Sequence, residues 1–341
     1  MVSVHVGPTG AEGAAGRLYA APHGRASILF AVVAGVGVSL LARSGTASLS
    51  VARRKLLWRA FVLLPIGLTL QLLDHGASVI LQNYAVLFVL AIGVLGLDDR
   101  WLLALAGAAA AFGPLGYLWG TIAAPHAFTR EAVALTDSLG EILRGLVLSG
   151  PYPLITWAAP FLFGIWLGRR DLGSSRVRAG LLLAGGTVAA VAIVTSLVLV
   201  AWIGRPVEPV GWDQLIVQSP HSQMPLWLIG ATGSAAFVLG GSLVLADAAV
   251  RLTWPLVAVG QLALTIYVAH LLALHAWPAT LTSERVSGAV VLVSGFTLGA
   301  ALLATIWRAL FRRGPLEVVL GGPWQWEPRR RPSVTARWSR S

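Results

Sequence analysis

Nine apolar stretches, each close to the length of a membrane-spanning helix, fill this chain and leave little room for a water-facing surface. At a rise of 1.5 Å per residue, a hydrocarbon layer about 30 Å thick takes roughly 20 residues to cross. That ruler places spanning helices near 26–42, 56–73, 79–97, 101–121, 152–168, 179–203, 225–246, 255–276 and 286–309. Only 11% of the 341 residues are charged, against about 25% in a soluble domain, so a soluble enzyme is excluded. Disorder is excluded by the same apolar richness, and a disulfide-built secreted scaffold by the lack of any cysteine. The expected fold is therefore all-α: a single polytopic transmembrane bundle over 1–310, followed by a basic cytoplasmic tail, 311–341. Pro65, Pro114, Pro160 and Pro255 fall within these runs and predict kinks.

The net charge of +11 suggests nucleic acid until its placement is read. Arg43, Arg53, Arg54, Lys55 and Arg59 lie between the first two runs, and Arg169, Arg170, Arg176 and Arg178 between the fifth and sixth. Arg251 lies between the seventh and eighth; Arg312, Arg313, Arg329, Arg330, Arg331, Arg337 and Arg340 follow the last. These are alternate loops, the pattern of membrane topology rather than of a basic groove. It predicts an outer N-terminus, a cytoplasmic C-terminus, the lipid bilayer as partner and no nucleic acid. A single lysine among 25 basic residues, with abundant Ala, Gly and Val, matches a GC-rich bacterial genome and hence a bacterial plasma membrane. An outer N-terminus with no basic leader suggests that a further helix is encoded upstream. Residues 138–149 are amphipathic, with Glu141 and Arg144 one turn apart, and predict an interfacial helix.

The histidines carry the chemical signal. His5, His23, His75, His126 and His221 all fall in loops on the predicted outer side, with His270 inside the eighth span and His275 near its outer end. Imidazole moves protons near neutral pH, and an ionisable group inside a span is a functional candidate by default. Tyr267 precedes His270 on the same helical face. Loop histidines are also cheap at an interface, so a solvated role stands beside the chemical one. Asp74, His75, Asn83, Arg25 and Ser222 are candidate substrate contacts, and equally caps and turn residues. Inner arginines 53, 54, 169 and 170 suit phosphate groups, although topology alone accounts for them. Metal ligation has no support: there is no H-E-x-x-H and no His pair one turn apart.

Several segments resemble a known family. Pro22-His23-Gly24-Arg25-Ala26-Ser27 running into a helix with Gly35 and Gly37 resembles the first loop and helix of the heparan-α-glucosaminide N-acetyltransferase-like membrane proteins. Ser219-Pro220-His221-Ser222-Gln223-Met224-Pro225 resembles a later loop of bacterial members. Val259-Gly260-Gln261 through Tyr267, and Arg313-Gly314-Pro315-Leu316-Glu317, resemble the C-terminal part of related uncharacterised bacterial membrane proteins. The resemblance implies a membrane acyltransferase. It would move an acetyl or acyl group from cytoplasmic acetyl-CoA, or another acyl-CoA, to an extracytoplasmic glycan or lipid-linked sugar amine or hydroxyl. His23 matches the family's catalytic histidine; His270 and Tyr267 are expected to join it, with His5 and His221 orienting the acceptor. Arg53, Arg54, Arg169 and Arg170 would hold the acyl-CoA. A homodimer is an admissible assembly. Two rival classes stay open: a proton-coupled transporter or flippase, and a non-catalytic membrane scaffold.

Overall fold

The computed structural model describes residues 2–8, 10–43 and 48–323. Every regular element among them is helical. The chain runs α1 (Val2–Val6), α2 (Gly13–Ala20), α3 (Arg25–Arg43), α4 (Leu49–Leu70), α5 (Leu81–Val94), α6 (Asp99–Ala123), α7 (Leu139–Val147) and α8 (Leu154–Leu167). It continues with α9 (Ser175–Ile203), α10 (Pro225–Ala248), α11 (Val250–Gln261), α12 (Ala263–Ala276), α13 (Pro278–Leu281), α14 (Val286–Leu310) and α15 (Pro315–Gly321). Each of the nine apolar runs is helical, but they are not nine equal spans. Among the described residues five helices are long and apolar enough to cross a membrane, and six if α11 and α12, bent by 70° to each other, count as one broken span. Helices α5 and α8 have 14 residues each, about 21 Å at the helical rise and short of the hydrocarbon layer. Helix α4 is long enough, but Arg53, Arg54, Lys55 and Arg59 occupy its first half.

Small residues set the packing. Gly35 of α3 lies against the Phe161 carbonyl and Ile165 amide of α8, and Gly164 and Gly168 of α8 return the contact against Val32 and Val36. Without Cβ atoms the two backbones approach closely, as membrane helices do when lipid removes the hydrophobic incentive to associate. Ser39 Oγ adds a bond to the Ile165 carbonyl (2.5 Å) across the same seam. Helices α9 and α10 meet in the same way through Gly185 and Gly233. Two apolar clusters result, and Tyr84, Trp166 and Tyr267 pack against both.

Alternate loops gather at opposite ends of the bundle. At one end the turns around 22–25, 74–80, 150–153 and 218–224 touch one another. At the other, Arg43 reaches the Gly168 carbonyl, and Arg169 the carbonyls of Leu95 and Leu97. The interfacial helix expected at 138–149 is α7, opened by a capping box between Ser138 and Glu141; Leu139 and Leu143 stay exposed on one face. The kink expected at Pro255 is displaced: the sharp break falls at Leu262, seven residues on. The described start of the tail forms α15, which binds back on the bundle through Glu317. Arg329, Arg330, Arg331, Arg337 and Arg340 lie outside the described residues.

Candidate functional site

Two loops far apart in sequence build the first half of the site. Gly24 ends the α2–α3 turn at φ +72°, the left-handed region that glycine enters freely. A Cβ there would sit 3.2 Å from Pro220 and from the Trp227 ring, so a bare backbone is what lets the two loops meet. His23 thereby faces His221, ring centroids 5.4 Å apart. Around His221 stand Tyr152 (5.5 Å, edge-on), Trp227 (5.8 Å) and Trp157 (6.4 Å, stacked).

The His221 loop is strained. His221 and Gln223 both hold positive φ, 55° and 65°, a state that costs about 1–3 kcal/mol per residue and persists only where surroundings impose it. The buried Gln223 amide imposes it. Its Oε1 accepts from Thr156 Oγ1 (2.8 Å) and Trp157 Nε1 (3.0 Å), while Nε2 donates to the carbonyls of Pro151 (2.9 Å) and His221 (3.3 Å). Both ends of the amide are used, which fixes its orientation. Ser222 Oγ accepts from the Met224 amide (3.3 Å) at the start of α10, a loop role rather than a free hydroxyl. His221 Nδ1 and Trp227 Nε1 are buried and bond to nothing among the described residues. Such atoms are expensive to leave unmade unless something else meets them. Burial, reinforced by the charges on His23 and Arg130, pushes His221 down to about 4, so its ring is neutral at physiological pH.

The second half is a histidine pair. His270, on α12, is 3% exposed. Its Nε2 lies 3.0 Å from His5 Nδ1, with the rings stacked 5.3 Å apart and 5° from parallel. One proton lies between the two nitrogens, and the tautomers of the two rings decide which of them donates. Tyr267 stands edge-on to His270 at 5.2 Å, and its hydroxyl accepts from the Ile80 amide (3.3 Å). A cavity of about 20 Å³ touches His270, room for one water, but the rest of its wall is aliphatic or aromatic. The halves adjoin: His5 interacts electrostatically with His23 and His75 as well as His270, and the hydroxyl of Tyr84, bonded to nothing among the described residues, with Tyr152 and Tyr267.

The remaining candidates divide. Arg25 belongs to the site, donating to Gln218 Oε1 (3.3 Å) across the loop pair. His75 is a brace: Nδ1 accepts from the Ala77 amide (3.1 Å), so Nε2 carries the proton and donates to the Leu70 carbonyl (2.9 Å). Asn83 is another, donating to the Tyr152 carbonyl (2.7 Å). Asp74 is exposed and offers its backbone carbonyl to His275 (3.2 Å). His126 is exposed, away from the rest. At the opposite end of the bundle Arg169 is engaged by Leu95, Leu97 and Asp99 (3.0 Å), and Arg170 also pairs with Asp99. Arg53 and Arg54 lie exposed on α4, Arg53 beside Gly96. No group of three or more His, Asp or Glu among the described residues is placed to hold a metal ion. Sequence reasoning missed Gln223, Tyr152 and Arg130; a buried Gln among loop prolines gives no signal of its own before the loop is seen.

No curated protein and no solved structure matches the chain. A family model does, over residues 178–321, a segment that holds His221, Gln223, Tyr267 and His270 but not His23. Over that part, the chain is similar to a membrane protein family described as Protein of unknown function (DUF418).

Proposed function

We propose that this protein is a bacterial plasma-membrane acyltransferase, carrying an acyl group from cytoplasmic acyl-CoA to a hydroxyl or amine of an extracytoplasmic glycan or lipid-linked sugar. The observation that supports it is the pairing of His23 with His221 in a strained loop walled by Tyr152, Trp157 and Trp227. Half-exposed His23 is the general base. It takes the proton as the acceptor attacks the thioester carbonyl, and passes it to the CoA thiolate as the carbon–sulfur bond breaks. Neutral His221 orients the acceptor, and Arg25 and Arg130 offer it positive charge. Of the four inner arginines, Arg53 and Arg54 are exposed on α4 and suit the CoA phosphates, whereas Arg169 is already engaged by Asp99 and the carbonyls of Leu95 and Leu97. Helix α3 spans 19 residues between the two ends, about 27 Å at the helical rise, so the pantetheine arm must thread into the bundle.

The test uses the purified protein in liposomes with acetyl-CoA and amino-sugar acceptors, reading free CoA thiol. His23→Ala should lower the rate about 10²–10⁴-fold with the fold intact. Undiminished turnover would remove His23 from the mechanism. A second reading is favoured by one observation: the sixth span is broken by 70°, and its outer half carries buried His270 against His5. Broken helices with an intramembrane proton site are the pattern of coupled transporters. Solute flux that follows an imposed pH difference, with no CoA release, would select this reading.

A further inference from the structure

Between α6, α8, α9 and α10, toward the inner end of the bundle, lies a groove of about 650 Å³, a volume within the range of small-molecule sites. Its floor is apolar and buried, with Ala159, Leu181 and Leu228 among its residues, and its rim at Leu103, Val188 and Ile229 is open on the lipid-facing side. Along α9 it extends from Val177 to Val188, about 16 Å at the helical rise, the scale of an extended alkyl chain rather than of a polar solute.

The inner end of the groove is cationic. Arg170 lines it, with its guanidinium 5.0 Å from the centre of the Trp166 ring and its buried Nε bonded to nothing among the described residues. Arg176 stands one turn before Gly180 on the same face of α9, and Arg100 one turn before Leu103 on α6. Asp99 engages Arg170, and Asp98 lies 3.8 Å from Arg100, but the Arg170 Nε–H bonds to nothing among the described residues and the exposed Arg176 beside the groove leaves this end with an excess of positive charge. An apolar groove about 16 Å long on α9, open at Leu103, Val188 and Ile229 and with guanidinium groups at one end, matches an amphiphile with a negative head. We infer that this groove is a binding site for an anionic phospholipid, one acyl chain along α9 and α10 and the phosphate at Arg170. It is independent of acyl transfer and of the histidines.

The full-length protein, washed free of lipid in detergent, is titrated with phosphatidylglycerol or phosphatidylcholine and read by native mass spectrometry. Phosphatidylglycerol should bind about tenfold or more tighter, because the phosphatidylcholine phosphate is offset by its own choline cation, which the guanidinium groups repel. A Cβ at Gly180 or Gly107 would meet nothing within 4 Å, so Gly180→Phe and Gly107→Phe fill the groove from opposite walls without disturbing the packing. Each should cut phosphatidylglycerol binding about tenfold or more, and Arg170→Gln should bring it down to the phosphatidylcholine level. Equal binding of the two lipids by the wild type, or full retention by both filled variants, would overturn the site.

Discussion

His221 carries a pH signature that a solvated loop histidine would lack. In the unfolded chain it titrates near 6.5, while in the folded loop burial, with His23 and Arg130 nearby, pushes it down to about 4. Between those values the unfolded state binds the extra proton, so stability is full above about pH 6.5 and is lost as pH falls toward 4. The shift corresponds to at most about 3 kcal/mol. His5, pushed down to about 3 chiefly by burial, acts with the same sign and extends the loss to lower pH. Melting temperatures from pH 7.5 to 5 should fall steeply for the wild type and less for His221→Gln; equal slopes would mean that His221 is solvated. Gln223 gives a second expectation. Gln223→Ala strands the Trp157 N–H and the carbonyls of Pro151 and His221, at about 1–3 kcal/mol each, so thermal unfolding should show one of the largest losses of any single loop substitution. At this scale the histidines were legible from residue type and loop assignment. Their partners were not, because His23–His221 and His5–His270 span 198 and 265 positions, and nothing local in a sequence encodes such a pairing.

Glu317 controls the broken span. Its Oε1 accepts from the amides of Leu264 (2.9 Å) and Thr265 (3.0 Å), and its Oε2 from Thr265 Oγ1 (2.5 Å). These are the first-turn donors of α12, left unpaired by the break at Leu262. A carboxylate there answers both the free N–H groups and the positive end of the helix. The tail motif Arg313-Gly314-Pro315-Leu316-Glu317 and the α11–α12 segment, read separately in the sequence, are thus two sides of one junction that sets the axis carrying Tyr267 and His270. Removing the cap with Glu317→Ala should cost about 1–2 kcal/mol, with Glu317→Gln intermediate, read from denaturation in detergent. If the cap also positions His270, Glu317→Ala should raise hydrogen exchange over 263–270 while leaving 225–248 unchanged. Helix positions in general were legible because apolar runs report them directly. The break was not: Pro255 advertised a kink, but Leu262 has no composition that marks a bend, and the cap that makes the bend affordable comes from 55 residues further on.

At the scale of the whole molecule, the spacing of basic residues and the packing of the loops agree without sharing a cause. The arginines divide the loops into two sets by charge alone, and the structure gathers the same two sets at opposite ends through contacts that do not involve most of those arginines: His23 with His221, Tyr152 with Ser78, and Gln223 with Pro151 at one end. For this segregation α5, α8 and the broken α11–α12 pair must each run from one end to the other, although α5 and α8 have only 14 residues each. Short helices of this kind cross only where neighbours or local thinning cover their ends. The absence of native cysteine makes the orientation directly measurable, since any introduced thiol is the sole target. His126→Cys, in the connection between α6 and α7, should react with a membrane-impermeant maleimide in intact spheroplasts. Arg176→Cys, at the start of α9, should react only after lysis if the basic loops take the cytoplasmic side that the positive-inside rule expects of them. The reversed labelling pattern would turn the molecule over, placing the histidine loops in the cytoplasm beside any CoA thioester and leaving an extracytoplasmic acceptor without a site.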